Sequence, residues 1–291
     1  MVEKIIYTIT AGHLKEMPME MRRKLAWLLG SYHFRHFMDA GMTFLLTESD
    51  DLYGEWDGIK IRVRDYSDAF ALFYFAYGYY DFSVLDSFEN VTVLDIGAHV
   101  GVSTCCFSKH PSVGKVYSYE PFKENYEQLL LNLKLNPGIP DKAIVENLGV
   151  GDETKEVTLP FYPGASLHAG LEPSDIVRDM FNFFDYSFCE KTCALEDIKK
   201  ITAKLPEDNP VLIFINAKGL EEKILRRVFS SVDTSRLCAV AGNFYNDFGI
   251  EQMFSDNGFD FQYHPHAIST GMKKIGSFHA TRRQSQGKNK E

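Results

Sequence analysis

The sequence lacks long apolar runs, a cysteine framework and a secretory signal. No window approaches the 18 or more uncharged apolar residues of a spanning helix, and the N-terminal stretch MVEKIIYTITAGHLKEM has no apolar signal core. The five cysteines are odd in number and form no CxxC pair, which argues against a disulfide framework. We therefore expect a cytoplasmic protein with buried, reduced thiols and no membrane partner.

Basic charge is also scarce. Acidic residues outnumber basic residues by 40 to 31, which gives a formal net charge of −9, and basic residues cluster only near the end of the chain. This balance argues against broad binding to a phosphate backbone, so we expect no nucleic-acid partner. The 291 residues, of which 45% are hydrophobic, suffice for one large or two modest globular domains.

From residue 91 onward, short apolar runs alternate with helical patterns. The runs VTVLDIG, KVYSYEP, VLIFIN and LCAVAGNF are each followed by a helical segment. This alternation predicts an α/β fold with an open, mainly parallel sheet. Two further strand candidates, FDFQYHP and KKIGSFHATR, have no helix between them, which predicts an antiparallel pair at the edge of the sheet.

The segment before this alternation has a different pattern. Apolar residues at three- and four-residue spacing predict a helical N-terminal cap over residues 1–58. The run IKIRVRDY then alternates apolar and charged residues, as a half-exposed strand does. Ser67 and Asp68 are competing candidates to cap the helix that follows.

The main domain is predicted to span residues 59–282. Its alternation lapses at about residues 153–192, and an insertion of this size in such a fold usually forms a specificity loop or a lid. Residues 283–291 are predicted to be a disordered basic tail.

The most informative stretch is VTVLDIGAHVGVST, in which a strand ends in Asp95 and a tight turn built on Gly97 and Gly101 opens a helix. Such a turn brings backbone close to a ligand and aims free N–H groups at a negative charge. Against the pattern GxGxxG, the second and third glycines are replaced by His99 and Val102. Because the second glycine admits a pyrophosphate, NAD and FAD are disfavoured, whereas the single carboxylate of S-adenosyl-L-methionine (SAM) demands less space.

Glu120 ends the next strand candidate. An acidic residue at this position accepts hydrogen bonds from both ribose hydroxyls in NAD and SAM enzymes alike. Two alternatives stay open: Glu120 as a capping or first-turn acid of the helix from Lys123, and the glycine turn as a sharp turn without a ligand.

Five stretches resemble, in order and spacing, the FkbM family of class I SAM-dependent methyltransferases: IRVRDYSDAF, VTVLDIGAHVGVST, VYSYEPFKENYEQLLLNLKLN, VENLGVGDETKEVTL and FINAKGLEEKIL. The resemblance covers roughly residues 60–265. It implies a Rossmann-like seven-stranded sheet with an antiparallel terminal strand pair, SAM as the methyl donor, and usually O-methylation of a hydroxyl on a sugar or another small molecule.

The resemblance also implies roles for individual residues. Glu120 would hold the ribose of SAM, and Asn147 and Leu148 would lie near the adenine. Ser67 and Asp68 would close over the methionine part. The same part of SAM would be surrounded by the residues of the glycine turn, namely Asp95, Gly97, Ala98, His99 and Gly101.

The chain departs from the family after the fourth strand. The family reads Asp-x-Glu-Gly-x-Glu there, whereas this chain reads NAKGLE from Asn216 to Glu221. Asn216 cannot take a proton at neutral pH, and Lys218 reverses a charge. After the fifth strand, GNF from Gly242 stands where the family often has an acid and a histidine. Either the acceptor differs from the usual hydroxyl or methyl transfer has been lost.

An alcohol acceptor benefits from a general base within about 3 Å. The candidate catalytic residues are Glu221, Asn216 and Lys218, and further candidate bases are His168, His264, His266 and, more weakly, Asp185. Each has an ordinary alternative as a solvated loop residue, an exposed lysine or a first-turn acid. The aromatic run from Phe181 to Phe188 either stacks on a ring substrate or packs against its own domain. No metal site is expected, because no cysteine or carboxylate cluster accompanies the histidines.

Three classes of function remain. The preferred hypothesis is a SAM-dependent methyltransferase that acts on an oxygen atom of a small-molecule or glycan acceptor. The alternative is a SAM-binding protein that has lost transfer and serves as a sensor or partner subunit. A nicotinamide oxidoreductase is opposed by His99 and Val102. Homo-oligomerisation is left open by the sequence.

Overall fold

The computed structural model describes residues 5–9, 18–29, 34–170, 188–244, 249–265 and 276–283. The strands are β1 (Ile5–Ile9), β2 (Thr43–Thr47), β3 (Leu52–Trp56), β4 (Ile59–Arg62), β5 (Val91–Ile96), β6 (Val113–Tyr119), β7 (Ala143–Glu146), β8 (Gly149–Gly151), β9 (Lys155–Phe161), β10 (Cys189–Asp197), β11 (Val211–Ile215), β12 (Leu237–Phe244), β13 (Phe259–Pro265) and β14 (Gly276–Arg282). The helices are α1 (Met19–Lys24), α2 (Ala26–Leu29), α3 (Phe34–Asp39), α4 (Tyr66–Ala76), α5 (Val102–Lys109), α6 (Lys123–Lys134), α7 (Ile198–Thr202), α8 (Glu221–Ser231) and α9 (Ile250–Asp256). Two 3-10 turns span Ser83–Ser87 and Ser166–His168.

The central sheet has seven strands in the order β13-β14-β12-β11-β5-β6-β7. All neighbours are parallel except β14, which runs antiparallel to both β12 and β13. The predicted α/β class, the seven-stranded Rossmann-like sheet and the antiparallel terminal pair are thus confirmed. The strand order reverses between β5 and β11, and in open α/β sheets the crevice at such a switch point is where ligands bind.

The middle of this sheet is covered on both faces. Every residue of β5, β11 and β12 is buried, as is typical of parallel strands with helices on each side. Alternate side chains of β5 enter opposite cores: Val93 packs with Phe107 of α5, and Leu94 packs with Ile224 of α8. Asp95 therefore points to the α5 face, beneath the glycine turn.

The N-terminal segment is not the helical cap predicted over residues 1–58. Strands β1 to β4 form a four-stranded antiparallel sheet, and α1 to α3 are short helices between β1 and β2. Asp57 and Gly58, with φ of 47° and 70°, form a two-residue hairpin that pairs Trp56 with Ile59. The predicted strand in IKIRVRDY is present as β4, with Ile59 and Ile61 buried.

Two asparagines, Asn132 in α6 and Asn136 just after its end, join this sheet to the main domain. The Oδ1 atoms of Asn136 and Asn132 accept from the backbone N–H groups of Lys60 and Arg62 at 2.8 and 2.9 Å. The Asn132 amide also donates to the carbonyl of Val100 at 2.8 Å. Side chains thus satisfy the free edge of β4, and α6 links that edge to the glycine turn.

Neither Ser67 nor Asp68 caps α4. The N-cap is Asp65, whose Oδ1 accepts from the backbone N–H groups of Ser67 and Asp68 at 2.8 and 3.3 Å. Asp65 therefore caps α4, and Asp68 is a buried residue of its first turn.

The insertion predicted at about 153–192 contains two strands in a separate small sheet. β10 pairs parallel to β8 and antiparallel to β9, and residues 171–187 between them lie outside the described residues. Residues 284–291, most of the predicted tail, also lie outside them. Contrary to the expectation of buried thiols, Cys189 is exposed. No helix in the described ranges has the length and apolar content to cross a membrane.

Candidate functional site

The glycine turn between β5 and α5 is held in a left-handed conformation at three positions. The φ angles of Gly97, His99 and Gly101 are 80°, 51° and 86°. A Cβ on Gly97 would lie 2.3 Å from the carbonyl oxygen of Asn216, and one on Gly101 would lie 2.8 Å from the Leu129 side chain. The glycines are therefore required by backbone conformation and by close packing at the same time.

Asp95 supports the turn from below. Its Oδ2 accepts from the hydroxyls of Ser103 and Thr104, each at 2.8 Å, and from that of Ser118 at 3.3 Å. Its Oδ1 has no hydrogen-bond partner within the described ranges. Burial raises the pKa of Asp95 to about 6, partly offset by these hydroxyls.

Glu120 follows β6 and is buried beside the turn. Its Oε2 accepts from the backbone N–H of His99 at 2.8 Å, and its Oε1 accepts from the N–H of Phe122 at 3.1 Å and the amide of Asn125 at 3.3 Å. Burial raises the pKa of Glu120 to about 7, against the effect of these donors. The helix after Glu120 begins at Lys123 with Phe122 as its N-cap residue, so Glu120 bonds the start of α6 as well as the turn.

The His99 imidazole joins the turn to the insertion. Its Nε2 lies 2.8 Å from the Ser166 hydroxyl and 4.0 Å from the Asp68 carboxylate. Burial lowers the pKa of His99 to about 4, so the ring is neutral at pH 7 and forms no ion pair with Asp68.

Asp68 is instead paired with Arg64. The guanidinium donates to both carboxylate oxygens, at 2.8 and 2.9 Å, and the Arg64 backbone N–H donates to Oδ2 at 2.9 Å. Arg64 also reaches the Asn125 side chain at 3.3 Å, which in turn bonds Glu120. A continuous hydrogen-bonded chain therefore runs from α4 to the end of β6.

The main cleft lies above the ends of β5, β6 and β11, with about 580 Å³ of empty space including its open mouth. Five of the predicted site residues line it: Gly97, His99, Glu120, Asn216 and Lys218. Its other walls include Pro121, Phe122, Asn125, Gly149, Val150, Leu159, Leu195, Ser166, Leu167, Ala169 and Gly170. The described part of the insertion therefore covers the cleft, as a lid would.

Other predicted residues are not part of the lining of the main cleft. Ser67, Asp68, Asp95, Gly101, Asn147, Leu148 and Glu221 do not line the main cleft. Asn147 is exposed, and its amide donates to the carbonyls of Glu120 and Pro121 at 2.9 and 3.1 Å. Gly149 and Val150, one step further along the chain, face the cleft in its place.

Three polar residues lie in the segment NAKGLE, which follows β11 and departs from the family pattern. Asn216 lines the cleft, and its Oδ1 is buried without a hydrogen-bond partner in the described part of the chain. Lys218 has φ of 43°, and burial lowers its pKa to about 7, partly opposed by Glu221. The Glu221 carboxylate accepts from the Gly219 N–H at 2.7 Å, and burial raises its pKa. Glu221 thus contacts the start of its own helix and does not line the cleft.

The remaining candidate bases are not gathered at the cleft. His264 is exposed on β13, and its ring stacks on that of His279 with centroids 5.3 Å apart. Asp185, His266 and the aromatic residues from Phe181 to Tyr186 lie outside the described residues, as does the side chain of His168. Phe188 is exposed. Within the described ranges, no group of three or more metal-ligating side chains is assembled.

Sequence reasoning missed several residues that build this site. Arg64, Asn125 and Ser166 each bond a predicted residue. Arg64 and Asn125 lie in stretches that resemble the family, but no role was assigned to them, and Ser166 lies in the insertion. Asn125 carried a weak signal, because a polar residue five positions after Glu120 falls on the inner side of the first turn of α6. Ser166 carried none, because its contact with His99 depends on how the insertion folds back.

A smaller side cavity adjoins the main cleft and shares Gly97, His99, Leu167 and Asn216 with it. It lies between α4 and the glycine turn, with about 340 Å³ of empty space including its open mouth. Its remaining lining residues are Ala71, Tyr74, Phe75, Tyr80, Ala98, Val102, Ser103 and Phe214. Ala98, predicted to lie near the ligand, thus faces this cavity and not the main cleft.

Comparison with solved structures found several matches of low sequence identity. Methyltransferase FkbM from Methylobacillus flagellatus KT is 14% identical with a TM-score of 0.42, over 75% of this chain and 55% of that one. TYW2 of M. jannaschii in complex with AdoMet is 12% identical with a TM-score of 0.42, over 80% and 87%. Precorrin-6y C5,15-methyltransferase from Geobacter metallireducens GS-15 is 13% identical with a TM-score of 0.37, over 69% and 85%.

The chain spans about half the length of that FkbM protein. No protein-family model matches the sequence, and no curated protein matches it. Membership of the FkbM family therefore stays a prediction from the motifs.

Proposed function

We propose that this protein is a SAM-dependent methyltransferase acting on a small molecule. The observation that carries the proposal is the glycine turn closed against Glu120 at the switch point of the sheet, with the His99 side chain buried inside it. A dinucleotide site needs a glycine at the position of His99, because the pyrophosphate lies against the backbone of the second glycine of the turn. A nucleoside with one amino-acid tail makes no such demand.

Glu120 can accept hydrogen bonds from both hydroxyls of a ribose if one of its present hydrogen bonds is replaced. An ionised carboxylate has about four acceptor positions, and three are used by His99, Phe122 and Asn125. One ribose hydroxyl can therefore bond Glu120 directly. A second would take the place of the Asn125 amide, which forms the longest of the three bonds at 3.3 Å.

In this proposal the adenine would lie against Phe122, Gly149 and Val150, which line the cleft beyond Glu120. The methionine part would extend along Gly97 toward Asn216, whose buried Oδ1 offers an acceptor to its ammonium group. When bound, SAM supplies an electrophilic methyl group: the acceptor lone pair forms the new bond to carbon, the carbon–sulfur bond breaks to leave S-adenosylhomocysteine, and the acceptor proton passes to solvent.

The protein mainly aligns the two reactants, because this displacement needs the nucleophile, methyl and sulfur in line. Lys218 lines the acceptor side of the main cleft, and its lowered pKa leaves part of the population as a neutral amine near pH 7. We assign Glu221 to positioning Lys218, because its carboxylate lies behind the wall of the cleft.

The test consists of two measurements. Mass spectrometry of the nucleosides released when the purified protein is denatured should detect SAM or S-adenosylhomocysteine. Incubation with methyl-labelled SAM and a cell metabolite extract should then produce a labelled small molecule. Binding without any labelled product would favour the alternative of a SAM-binding protein that has lost transfer, and absence of both would contradict the proposal.

A further inference from the structure

A short segment of the insertion is folded into the main cleft. We call residues 165–170 the strap; it contains the 3-10 turn Ser166–His168. Apart from His168, whose side chain lies outside the described residues, every residue of the strap is buried, although connecting segments usually run over the surface. The strap residues that line the main cleft are Ser166, Leu167, Ala169 and Gly170.

The strap begins at a well-defined turn after β9. The backbone N–H of Ala165 donates to the carbonyl of Tyr162 at 3.0 Å, with Pro163 and Gly164 at the two central positions. Gly164 has a φ of 81°, as a type II turn requires at its third residue. Both central residues are exposed, so this turn is a pivot outside the packed part of the strap.

The strap bridges the glycine turn and the segment NAKGLE. On one side, the Ser166 hydroxyl lies 2.8 Å from Nε2 of His99. On the other side, Gly170 lies against Lys218, because a Cβ on Gly170 would be 2.4 Å from the Lys218 Cβ and 2.6 Å from the Lys218 carbonyl oxygen. A ligand tail that runs from the glycine turn toward NAKGLE is therefore covered by the strap.

A small set of contacts holds the strap in this position. Among the described residues, one hydrogen bond joins it to the glycine turn, from Ser166 to His99. Leu167 packs in the apolar cluster that includes α4, and Ala169 packs in the cluster that includes Phe122. Segments with few buried contacts open locally at low cost, so the strap can leave the cleft while the central sheet stays folded.

We propose that the strap is a lid that opens to admit SAM and to release S-adenosylhomocysteine, and that the hydrogen bond between Ser166 and His99 is the latch that holds it closed. The inference rests on the proposed function and adds a gate over the methionine part of the ligand. The latch is formed in the closed protein both with and without ligand, and it breaks each time the strap opens. It therefore slows entry and exit alike and leaves affinity nearly unchanged.

Surface plasmon resonance on the immobilised full chain measures the association and dissociation rate constants of S-adenosylhomocysteine. Ser166→Ala should raise both rate constants about 2- to 10-fold, as expected for the loss of one hydrogen bond, while Kd changes by less than about twofold. Ser230→Ala removes an exposed hydroxyl that donates within α8, and it should change neither rate constant.

Two results for Ser166→Ala would overturn the inference. One is a pair of rate constants equal to those of the unaltered protein. The other is a rise in the dissociation rate constant alone, with a matching rise in Kd, because the Ser166 hydroxyl would then hold the ligand itself and not the strap.

A second variant tests the other side of the strap. Gly170→Ala would place a methyl group into Lys218, and because Gly170 lies outside the left-handed region of φ, the added overlap is its main effect. It should disfavour the closed strap and raise both rate constants. Gly54→Ala is the matched control, since its Cβ would come no closer than 3.2 Å to another atom, and it should change neither rate constant.

The same experiment separates this inference from the proposed function. Absence of S-adenosylhomocysteine binding to the unaltered protein would contradict the proposed function and the inference together. Binding with rate constants that neither Ser166→Ala nor Gly170→Ala raises would contradict this inference alone.

Discussion

Protonation of Glu120 should weaken the binding of S-adenosylhomocysteine. In the free protein the pKa of Glu120 is raised to about 7 by burial. Ribose hydroxyls donate hydrogen bonds to the ionised carboxylate, so binding should lower this pKa and release a proton. Affinity should therefore increase with pH, as expected for an acid whose ionised form is the one that binds.

The size of the effect follows from the free pKa. If only the ionised form accepts the ribose, the apparent Kd is multiplied by about 11 at pH 6 and by about 1.1 at pH 8, a change of roughly tenfold or ~1.4 kcal/mol. Lys218 also titrates near pH 7, and loss of its positive charge would weaken the binding of a ligand carboxylate as pH rises. Asp95, with a pKa raised to about 6, lies beneath the turn and titrates at the lower end of this range.

Calorimetric titration at pH 6, 7 and 8, in two buffers of different ionisation enthalpy, measures both Kd and proton release. Glu120→Gln should bind more weakly and lose most of the pH dependence, whereas Lys218→Met should keep it. A Kd for the unaltered protein that stays constant from pH 6 to pH 8, with no proton released, would refute the assignment of Glu120 to the ribose.

Three further outcomes are expected. Gly97→Ala should destabilise the fold by at least about 2 kcal/mol more than Gly138→Ala, because both have φ near 80° but only at Gly97 would a Cβ meet backbone, and chemical denaturation measures the difference. Glu120→Ala should weaken binding of S-adenosylhomocysteine about 10- to 100-fold, measured by calorimetry; an unchanged Kd would show that the ribose lies elsewhere. Asn216→Asp combined with Lys218→Glu should lower Tm, because a new carboxylate would adjoin the buried Glu221, and should weaken binding of S-adenosylhomocysteine, because the positive charge of Lys218 near the ligand carboxylate is reversed; thermal denaturation and calorimetry measure the two effects.

The central sheet was predictable because its signals are local. Each strand of VTVLDIG, VLIFIN and LCAVAGNF is a short apolar run with a turn at its end, and the two final strands lack a helix between them. Apart from β4, the strands of the N-terminal sheet were missed, although Asp57-Gly58 between Trp56 and Ile59 is a strong hairpin signal. The three- and four-residue spacing of apolar residues before residue 59 favoured helices instead. Strand β1 pairs with β2 across a long stretch of sequence, and no local pattern predicts that pairing.

The glycine turn was predictable from the sequence because its backbone conformation is set by neighbouring residues. Positive φ angles and close packing require glycine at positions 97 and 101, and both positions follow closely after the recognisable strand β5. Contacts between distant segments were not predictable. The bond from His99 to Ser166 and the chain from Arg64 to Asn125 exist only after the insertion and the N-terminal sheet have folded onto the main domain.

The central claim is that the turn from Gly97 to Gly101 binds a SAM-type nucleoside and excludes a dinucleotide. Calorimetric titration of the unaltered protein with S-adenosylhomocysteine and, separately, with NAD tests it most directly. We predict saturable binding of S-adenosylhomocysteine and no measurable heat with NAD, because the buried imidazole of His99 stands where a pyrophosphate would approach the turn. Tighter binding of NAD than of S-adenosylhomocysteine would contradict the account.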